Sequence, residues 1–401
     1  MNSASQLRIA VVGAGPVGLA LGLQAARALP QAHVALFDAR PLERDVSADP
    51  RTLALALGSV QLLQRLGAWP AGHATPIQTV QVSQAPPSLD SAGIVRLSAA
   101  DEGVPMLGAV ITYGPLVSAL QTAWCEAVAA AGGRLQSRFG TPVAGIKAVP
   151  AAVGNGLGGS AGSCGVEVDA GVAETFDLAV VAEGGVFADQ ARKALTHDYR
   201  QNAWVGTVTL EGAPPATAFE RFTRQGPVAL LPLGPAGAPN ENGQSDQCGS
   251  GCQRAALVWC VDAGDDPVQA LDEAQRIAVL NTLLPAQAGQ VVALSPLKRF
   301  ALGLNAERTL VSGRQVRIGN AAQTLHPVAG QGLNLGLRDA FSLVQALRFE
   351  PDVDRALRRV EWQRAPDRWS MIATTDFLAR SFTWRWPGAA AARGLGLSLL
   401  Q

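Results

Sequence analysis

Nothing in the charge balance of this chain favours a polyanionic partner. Its 401 residues carry 32 Lys and Arg against 32 Asp and Glu, for a formal net charge of zero. A global attraction for nucleic acid or anionic lipid therefore has no basis in composition. Charged residues are few, at 16%, while hydrophobic residues reach 48%, which excludes wholesale disorder and supplies a sizeable core. Yet no run of about 18 apolar residues is free of charges and breakers, so no spanning helix is expected. Cysteine is sparse. Cys125, Cys164, Cys248, Cys252 and Cys260 make an odd set in a long chain, read as reduced thiols of a cytosolic protein. Cys248 and Cys252 have no second ligand pair at metal spacing, and the 4 histidines are scattered, so no metal is expected. There is no G-x-S-x-G elbow to present a nucleophilic serine. The opening MNSASQLRIAVVGAG has one basic residue before its apolar run and reads as a first strand, not a secretion signal.

What is present is an α/β pattern too long for one core. Leu7 to Val12 is an apolar β-branched run, Gly13 to Gly18 a turn, Leu19 to Leu29 an Ala/Leu-rich helix, and His33 to Phe37 a second strand ending at Asp38. Residues 39–50 read as a loop, and Thr52 to Leu66 as a helix stopped by Gly67. From Ile77 to Ile111 the chain breaks into short strand-like pieces, and Pro115 to Ala130 is an amphipathic helix. Residues 150–165 are Gly-rich and read as a hairpin loop. WVGTVTL, VALLPL and AALVWCV, within 203–262, read as strands of one sheet, with a loop at 235–253. Asp272 to Leu284 is helical, Val316 to Gly319 a strand, and Asp339 to Leu347 a helix followed by a basic helical end. No internal repeat is visible.

Two segments carry chemistry. The first is Gly13-Ala14-Gly15-Pro16-Val17-Gly18, which follows a strand, opens a helix, and has Asp38 twenty positions after Gly18 at the end of the next strand. That context is what a dinucleotide fingerprint requires. Gly13 permits the tight turn. Gly15 lets a pyrophosphate approach backbone N–H groups at a helix N-terminus. Gly18 lets helix and sheet pack closely, and Asp38 can accept hydrogen bonds from a ribose diol. The motif does not separate FAD from NAD. The second is GNAAQTLHPVAGQGLNLG, Gly319 to Gly336, a Gly-rich strand-to-helix turn. Backbone amides near Gln331 to Asn334 could stabilise negative charge on a reduced ring.

These two segments, together with DPRTLAL at 49–55, resemble the aromatic-ring flavoprotein monooxygenases of the p-hydroxybenzoate hydroxylase type. Within them the chain looks most like the ubiquinone-biosynthesis hydroxylases. AFERFTRQGPVALLPL (218–233), ALVWC (256–260), TTDFLAR (374–380), and Asn320 with Gln323 point the same way. The resemblance spans nearly the whole chain.

It implies a Rossmann-like FAD-binding domain with an inserted, mostly β substrate domain and a C-terminal helical segment. The implied division is 1–75, 111–192 and 301–347 for FAD, 76–110 and 193–300 for substrate, and 348–401 for the terminal helices. Gly13, Gly15, Pro16, Val17 and Gly18 would hold the FAD pyrophosphate and Asp38 the adenosine ribose. Arg51 would reach the flavin phosphates or ring, and Asn320 the pyrophosphate and ribityl chain. Pro327, Gly330, Gln331, Gly332, Leu333 and Asn334 would line the isoalloxazine. His326, inside that loop, is the candidate for an effect on ring or substrate protonation. Relatives carry Ala-Asp-Gly where this chain has Ala182-Glu183-Gly184, so contact of Glu183 with the cofactor departs from the pattern by one methylene.

The implied reaction is hydroxylation of a polyprenylated methoxyphenol with NAD(P)H and O2. The cofactor carries the hard chemistry, so no protein nucleophile is needed. No second G-x-G-x-x-G is present for the nicotinamide, which would bind transiently in the same cleft. A substrate that partitions into membrane implies a protein cytoplasmic or peripheral to the inner membrane, or one fed by a multi-protein ubiquinone-biosynthesis complex. Trp362, Trp369, Trp384 and Trp386, and the apolar tail 388–400, are the candidate contacts. Two other readings stay open: a flavin hydroxylase of a small soluble aromatic, and a non-catalytic FAD-binding scaffold.

Overall fold

Short apolar β-branched runs can be buried on both faces only in a parallel sheet covered on each side, and the N-terminal strand is such a run. In the computed structural model, which describes residues 6–85, 94–150, 163–184, 190–236, 251–327 and 330–381, Arg8–Val12 lies inside a six-stranded sheet. It pairs in parallel with His33–Asp38 on one side and Leu178–Val181 on the other. Leu135–Phe139 extends the sheet in parallel beyond His33–Asp38, and Gln315–Arg317 does so beyond Leu178–Val181.

The described helices are α1 (Pro16–Ala28), α2 (Leu57–Arg65), α3 (Tyr113–Ala130), α4 (Glu273–Leu283), α5 (Gln331–Phe349) and α6 (Val353–Ser381). One face of the six-stranded sheet, with Ile9, Val11, Leu36 and Val180, packs into a core with α1, α3 and α5. The other face, with Ala10, Ala35, Phe37 and Ala179, is covered by a small antiparallel sheet through Val166, Val168 and Phe176.

The second large sheet has nine strands and is built around the 17-residue strand Leu195–Glu211. That strand pairs antiparallel with Gln253–Asp262 and with Lys298–Ala306. Pro227–Pro235, Thr217–Phe222 and Thr79–Gln84 follow outward. The face bearing Trp204, Phe219, Leu230, Leu257 and Trp259 is sealed by α4 through Leu280 and its neighbours. α4 itself starts at a capping box, in which Asp272 accepts from Gln275 N and the Gln275 side chain accepts from Asp272 N.

Between the two large sheets lies a three-stranded one of Thr52–Ala56, Gly108–Thr112 and Ala74–Ile77. The expected helix from Thr52 to Leu66 is corrected here: its first five residues, Thr52–Ala56, are strand, and α2 starts at Leu57. A backbone partner decides the matter. Residues 52–56 pair one for one with 112–108, which local apolar spacing cannot reveal. Gly67 ends that helix region at φ 65°, as expected of a left-handed stop. The expected hairpin at 150–165 lies largely outside the described residues, although its flanks Gly145–Pro150 and Ser163–Asp169 pair antiparallel. The body of the 235–253 loop (237–250), Trp384, Trp386 and the tail also lie outside. Cys252 is disulfide-bonded, a departure from the expected set of reduced thiols, while Cys125 and Cys260 are free.

Candidate active site

The Gly13–Gly18 turn is built so tightly that side chains cannot enter it. Gly13 sits at φ 104°, and a Cβ there would meet Glu183 N at 2.8 Å. A Cβ on Gly18 would lie 1.9 Å from the Gly13 carbonyl oxygen, so helix–strand packing requires a glycine at both positions. Gly15 differs. The nearest atom to its virtual Cβ is the Tyr113 hydroxyl at 3.9 Å, which leaves an open concavity at the start of α1. Gly15 is the N-cap of α1 with no side-chain cap, Pro16 follows at N1/N2, and the first turn has no acidic residue. The positive end of the helix dipole therefore faces that concavity with no acid of the helix's own first turn to answer it.

Asp38 closes one side. Its carboxylate accepts from Ala14 N and from Arg40 N, so it braces the turn as well as facing it. Glu183 borders the other side, and its carboxyl is pushed up, first by burial and then by the charge of Asp38. Arg51 stands nearby. It grips Asp49 with Nε–Oδ1 at 3.0 Å and Nη2–Oδ2 at 2.7 Å, and its guanidinium lies 4.0 Å over the Tyr113 ring. Tyr113 joins Arg51 to the Gly15 concavity. No local sequence signal marks it, because only its place beside Gly15 in space gives it a role.

The second Gly-rich segment folds onto the first. Val17, in the first turn of α1, touches both ends of it. A Cβ on Gly336 would meet Val17 Cγ2 at 2.8 Å and Gly319 Cα at 2.9 Å, and one on Gly319 would meet Val17 Cγ2 at 3.3 Å. Asn320 lies beside Gly184 and Gly332, with virtual contacts of 3.9 Å to each. The Asn320 carbonyl accepts from Lys193 Nζ at 2.9 Å, and Lys193 Nζ also donates to Gln190 Oε1 at 3.1 Å. Burial pushes the Lys193 ammonium down. Lys193 is a second residue that sequence reasoning did not find; its neighbour Arg192 is exposed.

α5 starts at Gly330 in the left-handed region (φ 60°), again without a side-chain cap or a first-turn acid. Gln331, Gly332 and Leu333 form that first turn and are partly exposed. Pro327 is exposed just before it. Asn334 is structural. Its Oδ1 accepts from Ala56 N at 2.8 Å, and its Nδ2 donates to Ala54 O at 3.0 Å and Gly330 O at 3.1 Å. This side chain pins the strand Thr52–Ala56 to the loop. His326 points elsewhere, toward the nine-stranded sheet. It is 2% exposed, with Nε2 3.0 Å from Gln201 Oε1 and its ring edge-to-face with Tyr199 at 5.3 Å. Gln201 Nε2 donates to Gln225 O, which fixes Gln201 Oε1 as the acceptor and His326 Nε2 as the protonated nitrogen. Burial lowers the His326 pKa to about 4, so the ring is neutral near pH 7.

The arrangement is two helix N-termini, one open glycine cradle, and acids and cations at its rim. It fits an elongated molecule with a central diphosphate and a diol. Residues 242–374 match the FAD binding domain family. Along 97% of this chain and 93% of the relative, the sequence is 28% identical to the 3-demethoxyubiquinol 3-hydroxylase of Escherichia coli. It is also 33% identical to the ubiquinone hydroxylase UbiL of Rhodospirillum rubrum, over 51% of this chain and 46% of that one. Over nearly its whole length the chain thus resembles FAD-dependent hydroxylases. Klebsiella pneumoniae HpxO complexed with FAD and uric acid shares the monooxygenase fold, with a TM-score of 0.64 over 100% of this chain and 95% of that one, at 17% identity.

Proposed function

We propose that this monooxygenase binds FAD in the Gly13–Gly18 cradle and hydroxylates a polyprenylated (methoxy)phenol in ubiquinone biosynthesis, using NAD(P)H and O2. Two observations support the reading together: the open concavity at Gly15, and the likeness to ubiquinone-pathway hydroxylases over nearly the whole chain. FAD, when bound, supplies electron transfer from NAD(P)H and the activation of O2 for transfer of one oxygen atom to an electron-rich ring.

Each residue of the site then has a part. Gly15, Val17 and Gly18 present backbone N–H groups and the helix dipole to the diphosphate, Pro16 presets the first turn of α1, and Gly13, whose N–H is held by Phe37 O, makes the tight turn. Asp38 accepts from the ribose, Arg51 offers a positive charge beside it, and Glu183 lies across the turn. Asn320, fixed from behind by Lys193, and the first turn of α5 line the ring side. Asn334 sets the loop's shape, and His326 joins the loop to the nine-stranded sheet. We divide the chain into FAD-binding segments 1–75, 111–192 and 301–347, substrate segments 76–110 and 193–300, and terminal helices 348–401. FAD content of purified Gly15→Val protein tests the cradle: the variant should fold and lose most of its flavin, and flavin retained at the wild-type level would refute the assignment.

A prenylated phenol resides in a membrane, so we place the protein at the bilayer surface or in a biosynthetic complex. Among the described residues no helix is long and apolar enough to cross a membrane. Trp362 on α6 is 81% exposed and Phe349 on α5 is 65% exposed, which supports surface docking. Part of the protein should co-sediment with membranes or with other pathway proteins, and wholly soluble, monomeric behaviour would count against this placement.

A further inference from the structure

Lysine carries its charge on a flexible stem, so holding the ammonium in one place takes several acceptors. Lys193, just before the strand Leu195–Glu211, is held in this way. Its Nζ donates to Asn320 O at 2.9 Å and to Gln190 Oε1 at 3.1 Å, and its backbone N–H donates to Asn305 Oδ1 at 2.8 Å. The acceptors are fixed in turn. Asn305 is buried and donates to Gln190 Oε1 at 3.1 Å and to Ala191 O at 3.0 Å. Thr324 Oγ1 donates to the same Gln190 oxygen at 2.9 Å. Lys193 is thereby tied to the second Gly-rich segment at two points, directly through Asn320 and by way of Gln190 through Thr324.

None of these acceptors is charged. Among the described residues no carboxylate is in ion-pair contact with Nζ. Glu307, whose charge favours the ammonium, faces Arg317 at 3.9 Å. Arg317 and Arg368 add positive charges that Lys193 feels. Arg368 is buried behind the same segment, with Nε donating to Gln323 Oε1 at 2.6 Å. The other acids near Arg368 are already engaged: Asp339 by Arg364 at 2.8 Å, and Glu361 by the backbone N–H groups of Leu310 and Val311. The turn from Gly319 to Gln323 is thus backed by cations that outnumber their free counter-charges. On its other side the Asn320 side chain lies beside Gly184 and Gly332, where the reading above puts the ring side of FAD.

Partly buried charges act over several ångströms, because solvent and salt screen them little. We propose that Lys193 is a positioning residue that sets the reduction potential of bound FAD: it fixes the Asn320 turn beside the ring, and its positive charge stabilises the negative charge that the ring gains on reduction. Burial alone disfavours the ammonium, and an anion at the ring restores it. The dipole of α5 acts in the same direction from its own N-terminus. The assignment rests on the FAD-binding reading above.

The test uses the FAD-loaded protein and measures the two-electron midpoint potential by equilibration with a redox dye, followed through flavin absorbance. Lys193→Met should hold the reduced ring about tenfold less tightly relative to the oxidised one, a fall of about 30 mV. Lys193→Gln, which keeps a donor but no charge, should fall by the same amount. Lys193→Arg, which keeps both, should stay near the wild-type potential. A wild-type potential in Lys193→Met and Lys193→Gln, or an equal fall in Lys193→Arg, would overturn the role of Lys193 and leave the FAD-binding reading intact. Wild-type protein that carries no flavin and takes none up would overturn both.

Discussion

Gly15 and Gly18, three residues apart, differ in how closely the backbone crowds them. Gly18 has the Gly13 carbonyl oxygen 1.9 Å from its virtual Cβ, whereas Gly15 has nothing closer than 3.9 Å. Gly18→Ala should therefore cost about 3 kcal/mol of stability, because rigid backbone must move. Gly15→Val should leave the melting temperature within a few degrees and still lose flavin; equal stability loss in both variants would contradict the cradle as described. His326 makes a second prediction at this scale. Its folded pKa is about 4 against 6.5 for the free group, so the unfolded chain binds a proton that the native state refuses. Stability is fully present above pH 6.5 and falls as pH drops toward 4, by about 3 kcal/mol over the window. Thermal melts between pH 7 and 5 should show a shallower decline in His326→Gln, which keeps a donor for Gln201; identical slopes would contradict the buried neutral ring. The turn role of Gly13 and the packing role of Gly18 were legible in the sequence because they follow from local backbone geometry. Tyr113 and Lys193 were not, since each acquires meaning only from a strand or loop distant in the chain.

The strand Thr52–Ala56 and the start of α5 behave as one element, joined by the three hydrogen bonds of the Asn334 amide. Asn334→Ala would leave partly buried backbone groups unpaired on both sides, at a cost of about 2 kcal/mol. FAD affinity should fall with stability, because the same loop lines the cradle; wild-type melting in this variant would show the pin to be idle. A deeper tie links α5 to α6. Asp339, 0% exposed, accepts from Arg364 Nε at 2.8 Å and from Gln323 Nε2 at 3.1 Å, while Gln323 Oε1 accepts from Arg368 Nε at 2.6 Å. Asp339→Asn should destabilise by about 3 kcal/mol, since buried Arg364 is left with only Asp367 as counter-charge and the carboxylate that Arg364 and Gln323 share is gone, and urea unfolding would read this directly. The βαβ start and the sheet at 203–262 were legible from period and turn chemistry. Residues 52–56 were not, because helical spacing of Leu and Ala also suits a short paired strand, and only the partner at 108–112 distinguishes the two.

At the scale of the whole molecule, the two large sheets divide the labour. The parallel one sets two helix N-termini against a glycine cradle, and the antiparallel one meets the flavin loop through Gln201 and Tyr199 at His326. That division explains why no nucleophile, metal cluster or charge excess announced the function in the sequence. The cofactor brings the reactivity, and the chain supplies shape, fixed dipoles and a few placed charges. The most direct measurement is the absorption spectrum of the purified protein, followed by anaerobic addition of NADPH with and without a prenylated methoxyphenol. Flavin bands should be present, should bleach, and should bleach faster when the phenol is there. Bands that NADPH leaves unbleached in both conditions, or a protein with no flavin at all, would contradict a phenol-gated flavin monooxygenase.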